Sequence, residues 1–387
     1  MGKQKNKPTL RFPEFEGDWE VKKLEDLAIR GSGHTPNKAY KSYYDGNIPW
    51  VSLADSKRLD NGFIEKTTNT ISQEGIRNSS AVLHPIGSVL LSRDAGIGKS
   101  AVMKIDMAVS QHFIVWRPIE GKLSNWFLYY KLQIHKPEFE RIAMGNTIKT
   151  IGLPYFKTLS FIFPQLSEQT KIATFLSTID EKLQALKKKR SLLETYKKGV
   201  MQKLFSQEIR FKDDEANDFE DWEVKKLGEV SEKKSSNISA NKIEDNFGEY
   251  IIYGASGILK KVNFYEEEND YVSIIKDGAG VGRIVYCKGK SSVLGTMEII
   301  KPKIKLNTYF LYCLLENIDF TKYITGSTIP HIYFKDYKNE ICGIPCLEEQ
   351  TKIANFLTAI DEKINNVDTQ IKQTELWKKG LLQQMFV

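Results

Sequence analysis

The chain has 387 residues, 41% hydrophobic and 27% charged, with a formal charge of +7; that length normally holds two or three domains, and the balance excludes a disordered chain. No apolar run approaches the roughly 20 residues of a membrane helix, and the N-terminal MGKQKNKPTLRF lacks the apolar core of a signal peptide, so a cytoplasmic location and no membrane partner are expected. The basic excess suits a polyanionic partner and equally a plain soluble enzyme.

In chain order, an N-terminal arm at 1–17 precedes DWEVKKL at 18–24. From there to 164, β-branched and aromatic runs such as SVLLSRDAG and HFIVWRP are broken by glycine turns, and NWFLYYKLQ reads as a helical patch, so 18–164 is predicted to be an α+β domain. Pro164 marks a change of element. A helical spacer follows at 165–208: Ser167 to Phe205 contains no proline and one glycine, Gly199, and Ile172, Leu176, Ile179, Leu183 and Leu186 alternate at the spacing of a coiled-coil seam. A linker at 209–220 leads to a second α+β domain at 221–345, with YVSIIKDGAG. Beyond Pro345 a second spacer at 346–387 carries Ile353, Leu357, Ile360, Ile364, Val367 and Ile371 along its seam. The expected fold class is α+β, two globular domains separated by two long antiparallel coiled-coil helices of about 58 Å each, in a pseudo-twofold internal repeat.

The repeat organises the remaining motifs. DWEVKKL returns at 221–227, Leu10-Arg11-Phe12 is matched by Ile209-Arg210-Phe211, SEQTKIATFLSTIDEK at 167–182 by EEQTKIANFLTAIDEK at 348–363, and ETYKKGVMQKLF at 194–205 by ELWKKGLLQQMF at 375–386. Trp19 and Trp222 lie 203 residues apart but Glu168 and Glu349 only 181, so the second middle is 22 residues shorter. Within the middles a skeleton survives: Arg93-Asp94-Ala95-Gly96-Ile97-Gly98-Lys99 against Lys276-Asp277-Gly278-Ala279-Gly280-Val281-Gly282-Arg283, FLYY (127–130) against FLYC (310–313), and Gly145-Asn146-Thr147-Ile148 against Gly326-Ser327-Thr328-Ile329. One fold carrying two different surfaces is expected. The second copy stops where the first continues into Ile209-Arg210-Phe211, and the N-terminus supplies the matching Leu10-Arg11-Phe12. The halves therefore relate as a ring cut once in a linker, with its ends close together.

Motifs with chemistry are sparse. GIGKS at 96–100 resembles the end of a phosphate-binding loop, but that loop needs glycine five positions before Gly98 and position 93 is Arg; the second copy, GAGVGRI, loses the lysine and serine too. A strand followed by a glycine turn is expected, with basic residues at its tip able to meet phosphate. Cys287, Cys313, Cys342 and Cys346 all fall in the last third of the chain, and Tyr130, Phe161 and Gln165 stand at the places of the last three in the first copy. Buried, inert, reduced cysteines are expected rather than a disulfide framework or zinc ligands. His34, His84, His112, His135 and His331 share no metal-ligand spacing, and no catalytic residue or metal site is assigned; His331, beside Thr328-Ile329-Pro330, fits a base-edge contact. The run Lys187-Lys188-Lys189-Arg190, extended by Lys182, Lys197, Lys198 and Lys203, is either a solvated helix face or a surface for phosphate or an acidic partner. Gln169, Thr170, Lys171, Asp180, Glu181 and Lys182 return as Gln350, Thr351, Lys352, Asp361, Glu362 and Lys363, largely off the apolar seam. Because the middles have drifted and these have not, they are expected to form a partner-binding face presented twice.

At DWEVKKL, at EQTKIA followed by FL and IDEK, and at KKG before each helix end, all duplicated, the chain from Leu10 to Val387 resembles the DNA specificity subunit of Type I restriction-modification systems. The resemblance implies a noncatalytic subunit in which 18–164 and 221–345 are target-recognition domains, each reading one half of a bipartite site in double-stranded DNA. It also implies that the helices set the spacing and dock two methylating subunits. With these, the complex would be an adenine-N6 methyltransferase using S-adenosylmethionine; with motor-nuclease restriction subunits, an endonuclease using ATP and Mg. This chain would bind no cofactor itself, and it lacks an Asn-Pro-Pro-Tyr type motif. The alternatives are a self-sufficient DNA methyltransferase or nuclease, and a coiled-coil adaptor that does not contact DNA. Reading DNA needs donors and acceptors at base edges and cations at phosphates. The candidates are Ser52, Arg93, Lys99, Thr147 and Lys149 in the first domain and Ser256, Lys276, Arg283, Ser327, Thr328 and His331 in the second.

Overall fold

The structure is a computed structural model and describes residues 6–145, 149–243 and 248–387. It divides into two compact units, residues 1–186 with 370–387, and residues 187–369.

The first unit contains β1 (Glu20–Lys23), β2 (Ala28–Ser32), β3 (Tyr44–Val51), β4 (Phe63–Ile64), β5 (Asn69–Ile71), β6 (Val89–Ser92), β7 (Ser100–Met103), β8 (Ala108–Val109), β9 (Phe113–Pro118) and β10 (Ser160–Phe163). Its main sheet runs β2-β9-β6-β7-β4, and a smaller one β5-β3-β8. The run of buried residues in SVLLS is what a strand covered on both faces requires. Alternate side chains go to opposite sides: Val89 and Leu91 pack with Phe127 and Leu128 of the helix Asn125–Ile134, while Leu90 joins Val51 and Val109 of the smaller sheet.

The second unit repeats this plan with β11 (Glu223–Lys226), β12 (Ser231–Ser235), β13 (Tyr250–Gly254), β14 (Gly257–Val262), β15 (Tyr271–Ile275), β16 (Ile284–Cys287), β17 (Ser291–Val293), β18 (Met297–Pro302) and β19 (Ile341–Ile344). The sheets run β12-β18-β15-β16 and β14-β13-β17, and the helix Thr308–Glu316 takes the place of Asn125–Ile134. Most of the 22-residue shortfall lies between β13 and β15; there the first unit runs through β4 and β5.

DWEVKKL makes the same strand twice. In each unit its EVKK pairs antiparallel with the strand that feeds the long helix, Glu20 opposite Phe163 and Glu223 opposite Ile344. The long helices are Leu166–Phe205 and Leu347–Met385, 40 and 39 residues. Pro164 and Pro345 follow the feeding strands, and each long helix starts two residues later with acid in its first turn, Glu168 in one and Glu348 and Glu349 in the other, which suits the positive end of the helix dipole. In the first unit Ile172, Leu176 and Ile179 pack with Leu381, Met385 and Phe386, and Lys378 Nζ lies 2.5 Å from Asp180 Oδ1. In the second, Met201 and Leu204 pack with Ile353, Leu357 and Ile360. There Lys197 pairs with Asp361 and Arg190 with Asp368, each at 2.6 Å, which fixes the segments as antiparallel. Gly199 and Gly380 sit inside these helices, and a Cβ at either would meet nothing within 4 Å.

The expected closure of the ends appears as a backbone bond. Leu10 N–H donates to Gln384 O at 2.9 Å, at the positions where Ile209 N–H donates to Lys203 O at 3.2 Å in the second unit. The cysteine expectation needs one correction: Cys287, Cys313 and Cys342 are buried but Cys346 is exposed. Desolvation pushes the Cys287 and Cys313 thiols up to about 12, so these are inert at neutral pH. No helix among the described residues is long and apolar enough to cross a membrane.

Candidate nucleic-acid interface

GIGKS forms a glycine turn between β6 and β7. Gly96 and Gly98 hold left-handed backbone at φ 76° and 79°, Gly98 N–H donates to Ser92 O at 3.0 Å, and Lys99 N–H donates to Gly96 O at 3.0 Å. The second unit builds the same turn with Gly280 and Gly282 at φ 91° and 84°; Gly282 N–H donates to Ile275 O at 2.8 Å and Arg283 N–H to Gly280 O at 3.0 Å. Beside each turn lies a second loop held by matching bonds. Ile151 N–H donates to Arg93 O at 2.8 Å, and Ile332 N–H to Lys276 O at 3.0 Å. Met144 and Thr150 exchange backbone bonds, as Thr325 and His331 do. The echo between the Gly145 and Gly326 segments thus marks a paired-loop platform.

In the second unit this platform brings the candidates together. Ser327 and Thr328 are exposed on the loop, and Lys276 is half-buried beneath it. His331 Nδ1 lies 3.2 Å from Ile329 O, and its ring meets Tyr333 at 5.0 Å. Arg283 is exposed and donates through Nη1 to Ala255 O at 3.0 Å, beside exposed Ser256. Residues absent from the candidate set line a groove of about 400 Å3: Lys233, Lys303, Lys335 and Lys338 with Tyr333 and Phe334. The alternation of aromatic and basic residues in HIYFKDYK was the signal for it.

The first unit treats its candidates differently. Arg93 is half-buried and donates through Nε to Ile151 O at 3.0 Å, pinning the second loop. Lys99 is committed to Asp60 at 2.9 Å and to Ser56 O at 3.1 Å. Lys149 is exposed, and Thr147 lies outside the described residues. Ser52 is buried, with its N–H on Asp55 Oδ2 at 3.0 Å. It lines a cavity of about 610 Å3 together with Tyr44, Trp50, Ser110, Gln111 and His112. The Ser110 hydroxyl is buried without a hydrogen-bond partner among the described residues, and Ser52 forms a capping box with Asp55.

The sequence profile of the Type I restriction modification DNA specificity domain matches residues 16–195 and again 219–375, most of the chain. The chain belongs to the Type I restriction-modification DNA specificity family. The MjaIX specificity subunit of Methanocaldococcus jannaschii is 25% identical over 94% of this chain and 92% of its own length, and the MjaVIII subunit of the same organism 26% identical over 96% and 92%. The crystal structure of the S subunit of the Type I system of M. genitalium shares the fold, with a TM-score of 0.68 at 17% identity over 98% of this chain and 99% of that one.

As a specificity subunit, the chain uses its duplicated segments chiefly to hold each domain on its helix. Glu168 is buried and accepts from Arg11 Nε and Nη2 at 2.8 and 2.7 Å and from the Trp19 indole at 3.3 Å. Glu349 accepts from Arg210 Nε and Nη2 at 3.2 and 2.8 Å and from the Trp222 indole at 2.9 Å. The glutamate, the arginine of LRF or IRF and the tryptophan of DWEVKKL are one clamp, which sequence reading saw as three unconnected matches.

The partner-binding set is corrected in part. Gln169 and Gln350 are 2% and 1% exposed, so neither can present a face. Gln169 Oε1 accepts from Ser124 N–H at 3.0 Å while Nε2 donates to Pro164 O at 2.9 Å; Gln350 does the same with Asn307 N–H at 2.8 Å and Pro345 O at 2.9 Å. Each glutamine therefore joins the start of the domain helix to the end of the preceding strand. Asp180 takes Lys378 and the Tyr130 phenol, and Asp361 takes Lys197 and the Tyr309 phenol. Lys171 pairs with Glu14, and Lys352 with Asp214. Thr170 and Thr351 bond back to Leu166 O and Leu347 O. Glu181, Lys182, Glu362 and Lys363 stand exposed on the helices.

Proposed function

We propose that each domain of this specificity subunit reads one half of a bipartite site in double-stranded DNA, and that the long helices set the gap between halves and dock two methylating subunits. The observation that carries this reading is the paired-loop platform: the same backbone bonds recur in both domains while the side chains they present differ. A scaffold held constant under changed donors and acceptors is what two different base sequences call for. The basic groove at Lys233, Lys303, Lys335 and Lys338 suits the phosphate backbone beside the second platform. Glu181, Lys182, Glu362 and Lys363, with Thr170 and Thr351, are the repeated side chains left to meet the methylating subunits. The assembled complex transfers a methyl group from S-adenosylmethionine to adenine N6 and, with restriction subunits using ATP and Mg, cleaves unmodified DNA in the cytoplasm. This chain contributes recognition and no catalysis.

Methylation mapping in a host expressing the chain with its methylating partner tests the proposal. A two-part motif with a fixed gap is expected, and the purified chain alone with labelled S-adenosylmethionine and mixed-sequence DNA should transfer no methyl groups. Methylation by the chain alone, or a continuous motif, would overturn it.

A further inference from the structure

We propose that Gln111 reads the edge of an adenine in the half-site of the first domain, positioned by Thr35, His112 and Asp94, an inference that rests on the DNA-reading role proposed above. Gln111 is exposed at the link between β8 and β9. Arg93 N–H donates to His112 O at 3.0 Å, which ties that link to the glycine turn of the platform. Four side chains there form one chain of contacts. Asp94 Oδ2 lies 2.5 Å from His112 Nδ1, His112 Nε2 lies 3.5 Å from Gln111 Nε2, and the Thr35 hydroxyl donates to Gln111 Oε1. A carboxylate at Nδ1 draws the ring proton to that nitrogen, so Nε2 of the neutral ring is an acceptor. The amide is thereby held one way round, because turning it over would set Oε1 against the Nε2 lone pair. A glutamine amide has two N–H donors and an oxygen with two lone pairs. Thr35 takes one lone pair and His112 faces one N–H, so a donor beside an acceptor is left for a partner outside the chain. In the major groove that pair complements adenine, which shows the N7 acceptor beside the N6 donor. Guanine shows two acceptors, cytosine a donor and thymine an acceptor beside a methyl group. Exposed Lys38 and Asn69 line the same cavity, the lysine suited to a phosphate of the strand being read.

The second domain provides an internal control, with the same backbone and no such chain of contacts. Ser110 N–H donates to Val51 O at 2.8 Å as Leu294 N–H donates to Tyr253 O at 3.0 Å, and Arg93 N–H to His112 O as Lys276 N–H to Thr296 O, both at 3.0 Å. These bonds place Gly295 and Thr296 where the first domain has Gln111 and His112. Ser32 pairs with Ile114 as Ser235 pairs with Glu298, so the place of Thr35, three residues on, falls to Ile238. The fold is built without the threonine, the glutamine or the histidine. Polar side chains that the fold does not need, and that orient one another with an edge left over, belong to what the first domain recognises.

The test maps the methylated motif made by the complex of this chain with its methylating partner, for the native chain, for Gln111→Ala and for Thr35→Val, which removes only a hydroxyl. In Gln111→Ala one A·T pair of the first half-site, other than the methylated adenine itself, should lose discrimination by about tenfold or more, with the other positions and the whole second half-site retained. Thr35→Val should relax the same position and no other, a pattern that a general loss of stability would not produce. Synthetic duplexes carrying 7-deazaadenine at that position lack the N7 acceptor. Binding by the native complex should weaken about fivefold or more on them, and binding by Gln111→Ala should be indifferent to the change. A first half-site unchanged at every position, relaxation at a G·C pair instead, or a Gln111→Ala complex as sensitive to 7-deazaadenine as the native one overturns the proposal. Relaxation in Gln111→Ala with none in Thr35→Val overturns the positioning. A native motif without separable halves overturns the reading beneath it instead.

Discussion

A side chain repeated in two copies of a domain can be kept for the fold or for a partner, and here single atoms separate the two. Gln169 and Gln350 spend both ends of the amide on buried backbone groups, so each →Ala variant leaves an N–H and a carbonyl bare and should lose about 2 kcal/mol of stability. Glu349→Ala strands Arg210 and the Trp222 indole and should cost about 3 kcal/mol. Urea unfolding of the full chain measures both, with exposed Glu181→Ala expected within about 0.5 kcal/mol of the native chain; an unchanged midpoint for Gln169→Ala would return that residue to the partner face. The repetition was legible in the sequence, but its purpose was not. Periodicity says which face a residue occupies, whereas the N–H that Gln169 meets belongs to Ser124, which only the folded chain brings within reach.

At the level of elements, the strands, glycine turns and helices followed closely from local pattern, because SVLLS, HFIVWRP and the heptad seams each specify one period. The cavity beside Trp50 did not, since it is assembled from β3, residues 52–54, Asn69 of β5 and the link 110–112 between β8 and β9, none of which is distinctive alone. The helices hold one feature that their own packing does not explain. Gly199 and Gly380, the glycines of the two KKG motifs, have open space where a Cβ would go, yet glycine in a helix interior costs roughly 1 kcal/mol relative to alanine. Gly199→Ala and Gly380→Ala should therefore each raise the stability of the isolated chain by about that amount, read by thermal unfolding. If the bare backbone is kept for close approach of a methylating subunit, the same variants will weaken assembly, read by sedimentation of the mixture. Full assembly of a stabilised variant would remove that explanation.

Over the whole molecule, the two units should part company in acid. Burial lowers the His84 imidazole below its ordinary range and lowers that of His135, so both are held neutral in the first unit. As pH falls below about 6.5 the unfolded chain takes up these protons first, and the first unit loses stability from there downward. In the second unit, burial would raise Glu267, but Lys234 and Lys301 together outweigh it and hold the carboxyl below its usual value. Its contribution is present above the ordinary carboxylate range and is lost only as pH falls below about 4.5. Hydrogen exchange between pH 7 and 4 should show amides of β6 and β9 losing protection before those of β15 and β18, and His84→Asn should narrow the difference; simultaneous loss would refute the assignment.

The clamp carries a consequence for heredity. Glutamate, glutamine, tryptophan and arginine recur with the same bonds in both copies, so paired crossovers, one at the stretches encoding 18–24 and 221–227 and one at those encoding 167–182 and 348–363, exchange one variable middle for another with the clamp intact. The joint is standardised and the cargo is free to vary. Recombination at those joints can create a new pairing of recognition domains, where point mutation would have to rebuild a recognition surface residue by residue.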